Sequence, residues 1–221
     1  MLVDLVRLFV AEKHWEGCGG LELTDEIRVT IAGQACLLVL GLDHVLYRNV
    51  ESILVYPSTV VPKRVEPSIF APPAIVPESM PILGEAHRGG PVILTWDAVR
   101  RGGRHPETGH NVVYHEFSHA LDMLDGAADG VPPLDQAAYE GWVRVCTREF
   151  QALREAVERG EPTLLDPYGS TDVGEFFAVV TELFFDRPLE MRARHPELYG
   201  VLAEFYKQDP AAREARARQE G

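Results

Sequence analysis

The pentapeptide HEFSH at residues 115–119 constrains this 221-residue chain more than any other feature. Histidines four positions apart lie one above the other on an α-helix, so His115 and His119 can both reach one metal ion. Glu116 is rotated away from that pair and can take a proton from metal-bound water instead of binding the metal. Zinc lowers the pKa of such water to about 7. The pattern therefore predicts one catalytic Zn²⁺ per chain, with Glu116 as general base.

The residues around the pentapeptide predict a helix with two different faces. The helical pattern runs from Asn111 to about Leu124 and ends at Gly126. His115 and His119 share one face with Asp122. The opposite face is apolar and carries Val113, Phe117, Ala120, Leu121 and Leu124. A histidine face opposite a core face is the arrangement that a metal-binding helix beneath a cleft requires.

A catalytic zinc ion needs a third protein ligand and one open position for water. Asp122 follows His119 by only three residues, and its short side chain is better placed to orient a histidine than to bind the metal. The full set of candidates is His105, His110, Asp122, Asp125, Glu175 and Glu182.

Glu175 and Glu182 lie on a second predicted helix, from Val173 to Asp186. They are seven residues apart and share one face of an otherwise apolar helix. Two carboxylates in such a setting need partners, and zinc is a suitable one. Glu175 could instead complete a capping box with Asp172 as N-cap, and Glu182 could instead brace a ligand histidine through a hydrogen bond. These alternatives stay open.

Tyr168 lies in a loop just ahead of this second helix. A loop tyrosine that enters a metal cleft can donate a hydrogen bond to the oxyanion that develops during hydrolysis. The spacing is equally compatible with a tyrosine packed on a surface turn.

The remaining pattern predicts an α+β fold that is predominantly helical, with a small sheet and no second domain within residues 1–221. Half of the 16 prolines fall between Pro57 and Pro91, which predicts a wrapping loop or a lid there. We expect residues 100–110 to form a loop and residues 209–221 a frayed tail. Further helices are predicted at 2–15, 25–40, 135–159 and 196–208, and strands at 53–56 and 92–96.

Composition excludes several functional classes. Lys and Arg total 21 against 34 for Asp and Glu, a formal net charge of −13, so nucleic acid and anionic membranes are unexpected partners. The three cysteines form no CxxC pair, which argues against a disulfide framework. The apolar start of the chain is broken by Asp4 and Arg7, so we expect no targeting segment, no membrane span and a cytoplasmic location.

Longer segments extend the pattern over nearly the whole chain, and with them the sequence resembles the Mlc titration factor A family of zinc-dependent peptidases. The segment EFFAVVTELFF at 175–185 is among the most specific. The others are FVAEK at 9–13, GCGGLE at 17–22, IAGQACLL at 31–38, ILVYPS at 53–58, GPVILTW at 90–96, NVVYHEFSHALDML at 111–124 and DGVPPL at 129–134.

This resemblance implies a zincin-like core of the gluzincin type, similar to that of anthrax lethal factor. It implies that Glu175 is the third zinc ligand and that Tyr168 assists catalysis. It further implies a cytoplasmic aminopeptidase acting on short peptides, and a Mlc-type transcriptional repressor as a possible partner. The alternative function is a regulatory protein that sequesters such a repressor, with peptidase activity secondary or absent. Longer members of the family carry several tens of residues ahead of the segment at Phe9.

An extended peptide substrate can pair with the edge of a sheet. We expect the strand at 92–96 to be that edge, with the strand at 53–56 as the competing choice.

Overall fold

A computed structural model describes residues 1–42, 46–58, 84–86 and 90–220. Most of the proline-rich stretch between Pro57 and Pro91, with its predicted wrapping loop or lid, lies outside these ranges. The fold is α+β and predominantly helical, as predicted from the sequence. That residues 1–221 form a single domain stays a prediction.

The sheet has four strands in the order β1-β2-β4-β3. The strands β1 (His14–Gly17), β2 (Ser52–Tyr56) and β4 (Val92–Thr95) are parallel, and β3 (Gly84–Ala86) is antiparallel to β4. Ile53 of β2 lies opposite Val92 of β4. Both strands that we expected at an edge are therefore interior, and that expectation was wrong. Among the described residues, β1 and β3 form the edges.

Nine helices follow the chain through the described residues. Their bounds are α1 (Leu2–Glu12), α2 (Asp25–Leu38), α3 (Trp96–Arg104), α4 (Val112–Asp122), α5 (Gln136–Glu158), α6 (Val173–Asp186), α7 (Pro188–Arg194), α8 (Pro196–Tyr206) and α9 (Pro210–Glu220). Short 3₁₀ helices lie at Pro106–Thr108, Met123–Asp125 and Pro167–Ser170.

Side-chain caps fix where the helices of the centre begin. Asn111 caps α4, and its Oδ1 accepts hydrogen bonds from the backbone nitrogens of Val113 and Tyr114. Asp172 caps α6 in the same way, with Oδ1 2.9 Å from the backbone nitrogen of Glu175. Because each cap sits immediately before its apolar pattern, these two helices begin where the sequence predicts.

Helix α4 packs directly against α6 and lies beside α2, α3 and the strands β3 and β4. Its predicted apolar face is buried, with Val113 and Phe117 fully inaccessible to solvent. The opposite face, with its two histidines, turns toward α6. The core therefore holds α4 on one side and leaves the histidine face for a site between α4 and α6.

Two sequence predictions at the amino-terminal half were wrong. The first helix ends at Glu12 rather than near Trp15, because residues 14–17 extend to pair with β2 as strand β1. Residues 100–104, predicted as loop, complete α3. Gly102 gives the physical reason: a Cβ there would lie 3.0 Å from Cα of Asn111, so the glycine lets α3 approach the start of α4 closely. Tertiary packing outweighs the low helix propensity of glycine here.

The carboxyl-terminal end also differs from the prediction. Residues 209–221 were expected to fray, but Pro210–Glu220 forms α9, which contacts α7. Ala211 is fully buried, and its backbone nitrogen donates to the hydroxyl of Tyr199 at 2.9 Å. Asp209 accepts from the same hydroxyl at 2.6 Å. These contacts dock a segment whose own sequence is mostly charged and alanine-rich.

Candidate metal centre

Three side chains converge between α4 and α6. Oε2 of Glu175 lies 3.0 Å from Nε2 of His115 and 3.5 Å from Nε2 of His119. One potential ligand atom from each residue lies within 4.8 Å of the other two. The three side chains are 16–19% exposed, so the cluster is largely buried but still within reach of solvent.

The two roles considered for Glu175 separate in the structure. The N-cap of α6 is Asp172, whose own carboxylate takes the backbone nitrogen of Glu175. The carboxylate of Glu175 is directed at the two histidines. A residue in the first turn of α6 thus projects toward α4, and the geometry favours the ligand role for its side chain.

Glu182 lies on the far side of the His115 ring. Its Oε1 is 2.8 Å from Nδ1 of His115, and its Oε2 accepts a hydrogen bond from the backbone nitrogen of Asn111. A carboxylate can only accept, so Nδ1 donates its proton to Glu182, and Nε2 is the nitrogen that faces Glu175 and could bind a metal. This is the bracing position that the sequence left open for Glu182.

Asn111 and Gln34 were not singled out from the sequence. Nδ2 of Asn111 donates to Oε1 of Gln34 at 2.8 Å, while its backbone nitrogen binds Glu182. Gln34 lies on α2, where its Nε2 also donates a hydrogen bond to the backbone carbonyl of Thr30. The position of Asn111 directly before an apolar helix signals an N-cap, but nothing in the sequence signals its contact with a residue on α6.

Glu116 is buried next to the cluster, with 5% of its surface exposed. Burial raises the pKa of its carboxyl to about 7, although the nearby rings of His115 and His119 oppose this shift. A carboxyl group that exchanges its proton near neutral pH suits a general base.

Histidine and carboxylate stabilise each other's charge in the cluster. Burial lowers the pKa of His115, but hydrogen bonds to Glu175 and Glu182 outweigh it and raise the pKa well above its usual value. Burial raises the pKa of Glu175, yet hydrogen bonds to His115 and His119 bring it well below its usual range. The carboxyl group of Glu175 is therefore ionised at neutral pH and can offer a metal ion a negatively charged oxygen.

Tyr168 lies next to the same cluster. Its ring centroid is 6.0 Å from that of His115, and 41% of the residue is exposed. Burial raises the pKa of its hydroxyl to about 12, and the nearby carboxylate of Glu175 adds to the shift. Asp166 fixes the turn by accepting from the backbone nitrogen of Tyr168 at 2.7 Å. The hydroxyl thus stays protonated and can act as a donor.

Asp122 is buried beneath the histidine face, but its Oδ2 accepts from the backbone nitrogen of Gly130 at 3.0 Å. Its Oδ1 has no hydrogen-bond partner among the described residues. A Cβ at Gly174 would lie 3.8 Å from Asp122 and 3.9 Å from the ring of His119, which places the two side chains near each other. The structure thus brings Asp122 close to His119 without a direct hydrogen bond.

The remaining third-ligand candidates make other contacts. Nδ1 of His105 lies 2.9 Å from Glu107, and Nδ1 of His110 lies 3.4 Å from Asp166. Oδ1 of Asp125 accepts from the backbone nitrogen of Ala127. None of these three side chains joins the potential metal-binding group found in the described part of the chain.

Comparison with known proteins gives a consistent result. Residues 1–207 match the family described as Glucose-regulated metallo-peptidase M90. An uncharacterized protein of Synechocystis sp. is 40% identical over 209 residues, which cover 93% of this chain and 74% of that protein. Mlc titration factor A of Serratia proteamaculans is 32% identical over 206 residues, covering 91% of this chain and 76% of the relative. Mlc titration factor A of Klebsiella pneumoniae is 31% identical over 216 residues, with 96% and 80% covered. Within the described residues, no helix is both long and apolar enough to cross a membrane.

Proposed function

This chain belongs to the family of glucose-regulated metallo-peptidases M90, and from that premise we propose that it is a zinc-dependent aminopeptidase acting on short peptides. The observation that carries the proposal is the convergence of His115, His119 and Glu175, with buried Glu116 beside them. The family makes the chain a metallopeptidase. The identity of the metal, the preference for the amino end and the roles of the residues are our proposals.

The donor set fits zinc. Two imidazole nitrogens and one carboxylate oxygen are a common protein ligand set of catalytic zinc sites. Zinc bonds of about 2.0–2.1 Å in a tetrahedral arrangement place neighbouring ligand atoms roughly 3.3 Å apart. The carboxylate oxygen of Glu175 lies 3.0 and 3.5 Å from the two histidine nitrogens, which matches that spacing. His115, His119 and Glu175 would hold the ion.

When bound, zinc polarises the scissile carbonyl and lowers the pKa of water. Glu116 would accept a proton from the attacking water and later deliver it to the leaving amine. Burial raises the pKa of the Glu116 carboxyl to about 7, so the group can both accept and release a proton near neutral pH. Glu116 is one residue past His115 and therefore points beside the ligand cluster rather than into it.

Tyr168 would donate its hydroxyl proton in a hydrogen bond to the oxyanion that forms from the scissile carbonyl. Its ring lies 6.0 Å from that of His115 and its hydroxyl is protonated, and both observations support this role. Glu182 would keep Nε2 of His115 directed at the metal, since it holds Nδ1 from behind and is itself held by Asn111. Asp122 is proposed to support His119 through its charge.

The strand β3 is our revised choice for the strand that pairs with substrate. It is an antiparallel edge strand and contacts α4, which carries the histidines. An extended peptide could add to its outer edge through backbone hydrogen bonds. The preference for the amino end of the peptide rests on the family resemblance.

The experiment is a peptidase assay with amino-acid nitroanilides on the zinc-loaded protein, with and without a chelator, and on Glu116→Gln. Glutamine still accepts a hydrogen bond but cannot take the proton. We expect the variant to retain stoichiometric zinc and to lose roughly 10²-fold or more in kcat. Glu12→Gln, exposed at the end of α1, is the matched control. Full activity in Glu116→Gln would contradict the proposed chemistry.

A second candidate function is binding of a Mlc-type repressor. It is favoured by the name of the relatives, Mlc titration factor A, at about 30% identity. A pull-down of purified repressor by the zinc-loaded protein and by Glu116→Gln tests it, because binding without turnover would separate the two functions. A cytoplasmic location stays a prediction from the sequence.

A further inference from the structure

A separate surface depression lies near the turn that carries Tyr168. It is a cavity of about 310 Å³ between the second half of α5, residues 162–165 and the junction of α7 with α8. Its walls include Leu153, Ala156 and Leu165, of which Leu153 and Leu165 are almost fully buried. The size is at the lower end of small-molecule sites, and the apolar walls suit a short aliphatic group.

One part of the wall carries an ordered polar pair. Nδ1 of His195 lies 2.8 Å from Oε2 of Glu149, and both side chains are largely buried. The other oxygen of Glu149 accepts from Arg148 at 2.9 Å, so both carboxylate oxygens are occupied. These contacts lower the pKa of Glu149, although burial opposes the shift. Nε2 of His195 makes no hydrogen bond to the described residues and is left for a ligand.

Arg194 lies beside this pair and also lines the cavity. Its guanidinium makes no ion pair within the ranges that the structure describes, although Glu190 lies near enough to interact with its charge. The carboxylate of Glu149, by contrast, is bound by both Arg148 and His195. Of the carboxylate and guanidinium groups in the cavity wall, those of Glu149 and Arg194, only that of Arg194 is therefore without an ion pair among the described residues. A positive group at the rim of an apolar cavity is complementary to an anion that carries an aliphatic tail.

We propose that this cavity binds a small aliphatic carboxylate, with Arg194 holding the carboxylate, His195 as a second polar contact and the walls formed by Leu153, Ala156 and Leu165 holding the tail. The site is distinct from the metal centre and does not depend on the proposed reaction. Leu153 also touches the turn that carries Tyr168, because a Cβ at Gly169 would lie 3.4 Å from its Cδ2.

The probe is N-acetyl-L-leucine, with N-acetyl-L-leucinamide as the uncharged match. Each is titrated into the zinc-loaded, ¹⁵N-labelled protein, and amide shifts are followed by NMR. We expect saturable shifts at residues 163–165 and 195 with the acid, and at least tenfold weaker binding of the amide. Equal binding of the two compounds would overturn the assignment. So would shifts confined to residues 115–119, since the carboxylate would then sit at the metal.

Two variants test the residues. Arg194→Gln should weaken binding of the acid at least tenfold, whereas Arg192→Gln, on the same helix but not in the cavity wall, should not. Ala152→Trp places a large ring at the mouth from an exposed position and should abolish binding. Ala137→Trp, also exposed on α5, is its control. Unchanged affinity in Arg194→Gln or Ala152→Trp would overturn the proposal.

Discussion

Glu182 lies 2.8 Å from Nδ1 of His115, on the opposite side of the imidazole from Glu175. The ring is thus held between two carboxylates from one helix, seven residues apart. The carboxylate of Glu175 lies close to Nε2 of both histidines. The carboxylate of Glu182 also accepts a hydrogen bond from the backbone of Asn111. This difference in surroundings gives the two glutamates different expected roles, although the sequence presents them on one helix face.

Replacement of Tyr168 by Phe should separate catalysis from metal binding. The ring stays, so zinc content should not change. The lost hydroxyl should reduce kcat by roughly 10²-fold, because an oxyanion donor acts in the transition state. KM should change much less. Tyr139→Phe, also exposed but on α5, is the control. Steady-state kinetics with equal kcat in Tyr168→Phe and the parent protein would exclude the proposed role.

Replacement of Gly130 by Ala should strongly destabilise the fold. Gly130 has φ +73°, and an added Cβ would lie 2.4 Å from the carbonyl oxygen of Val173 at the start of α6. The backbone of Gly130 also binds Asp122 and the indole of Trp142. We expect a loss of about 2 kcal/mol or more in the free energy of unfolding, measured by urea denaturation.

Gly141→Ala provides the opposite control for Gly130→Ala. Gly141 lies within α5, and a Cβ there would meet nothing within 4 Å. Alanine should stabilise the helix by about 0.5–1 kcal/mol. If both glycine variants shift the urea midpoint in the same direction, backbone conformation and close approach do not explain the requirement for Gly130.

Asp186 should make stability fall as pH rises. Burial raises the pKa of its carboxyl to about 8, and the charges of Glu182 and Glu107 add to the shift, whereas the ordinary value is 3.8. Between these values the folded state binds more protons than the unfolded state, so this group lowers the free energy of unfolding as pH increases from about 4 to about 8.

Asparagine cannot ionise, so Asp186→Asn should remove this fall of the free energy of unfolding with rising pH. At pH 8 the variant should be more stable than the parent by about 1 kcal/mol or more, and the difference should disappear below about pH 4. Urea denaturation with chelator present in every sample excludes effects of metal loss. Glu158→Gln, exposed on α5, is the control. A parent and variant with parallel pH profiles would show that burial does not raise the pKa of this carboxyl.

The sequence predicts the helices of the centre well because each carries its own start signal. Asn111 and Asp172 cap α4 and α6, and the apolar pattern continues without interruption after each cap. The position of His115 and His119 on the helix face opposite the core follows from helical spacing alone. The convergence of Glu175 on the two histidines required the packing of α4 on α6, which the sequence could suggest only through the need of buried carboxylates for partners.

Features that depend on contacts between distant segments were not predictable in the same way. Strand β1 is formed by pairing with β2, and α3 is formed around Gly102, which fits against Asn111. The order of the strands decides which of them is an edge, and no local pattern encodes that order. The link from Gln34 through Asn111 to Glu182 joins three segments, so it too became visible only in the fold.

The central claim is that His115, His119 and Glu175 hold the metal while Glu182 only holds His115 in place. Zinc content after dialysis against a weak chelator, measured side by side for Glu175→Gln and Glu182→Gln, tests it most directly. Asp172 keeps the cap of α6 in both variants. We expect Glu175→Gln to lose its zinc and Glu182→Gln to bind zinc about 10- to 100-fold more weakly without losing the site. If Glu182→Gln loses the metal while Glu175→Gln keeps it, Glu182 is the ligand and the account is wrong.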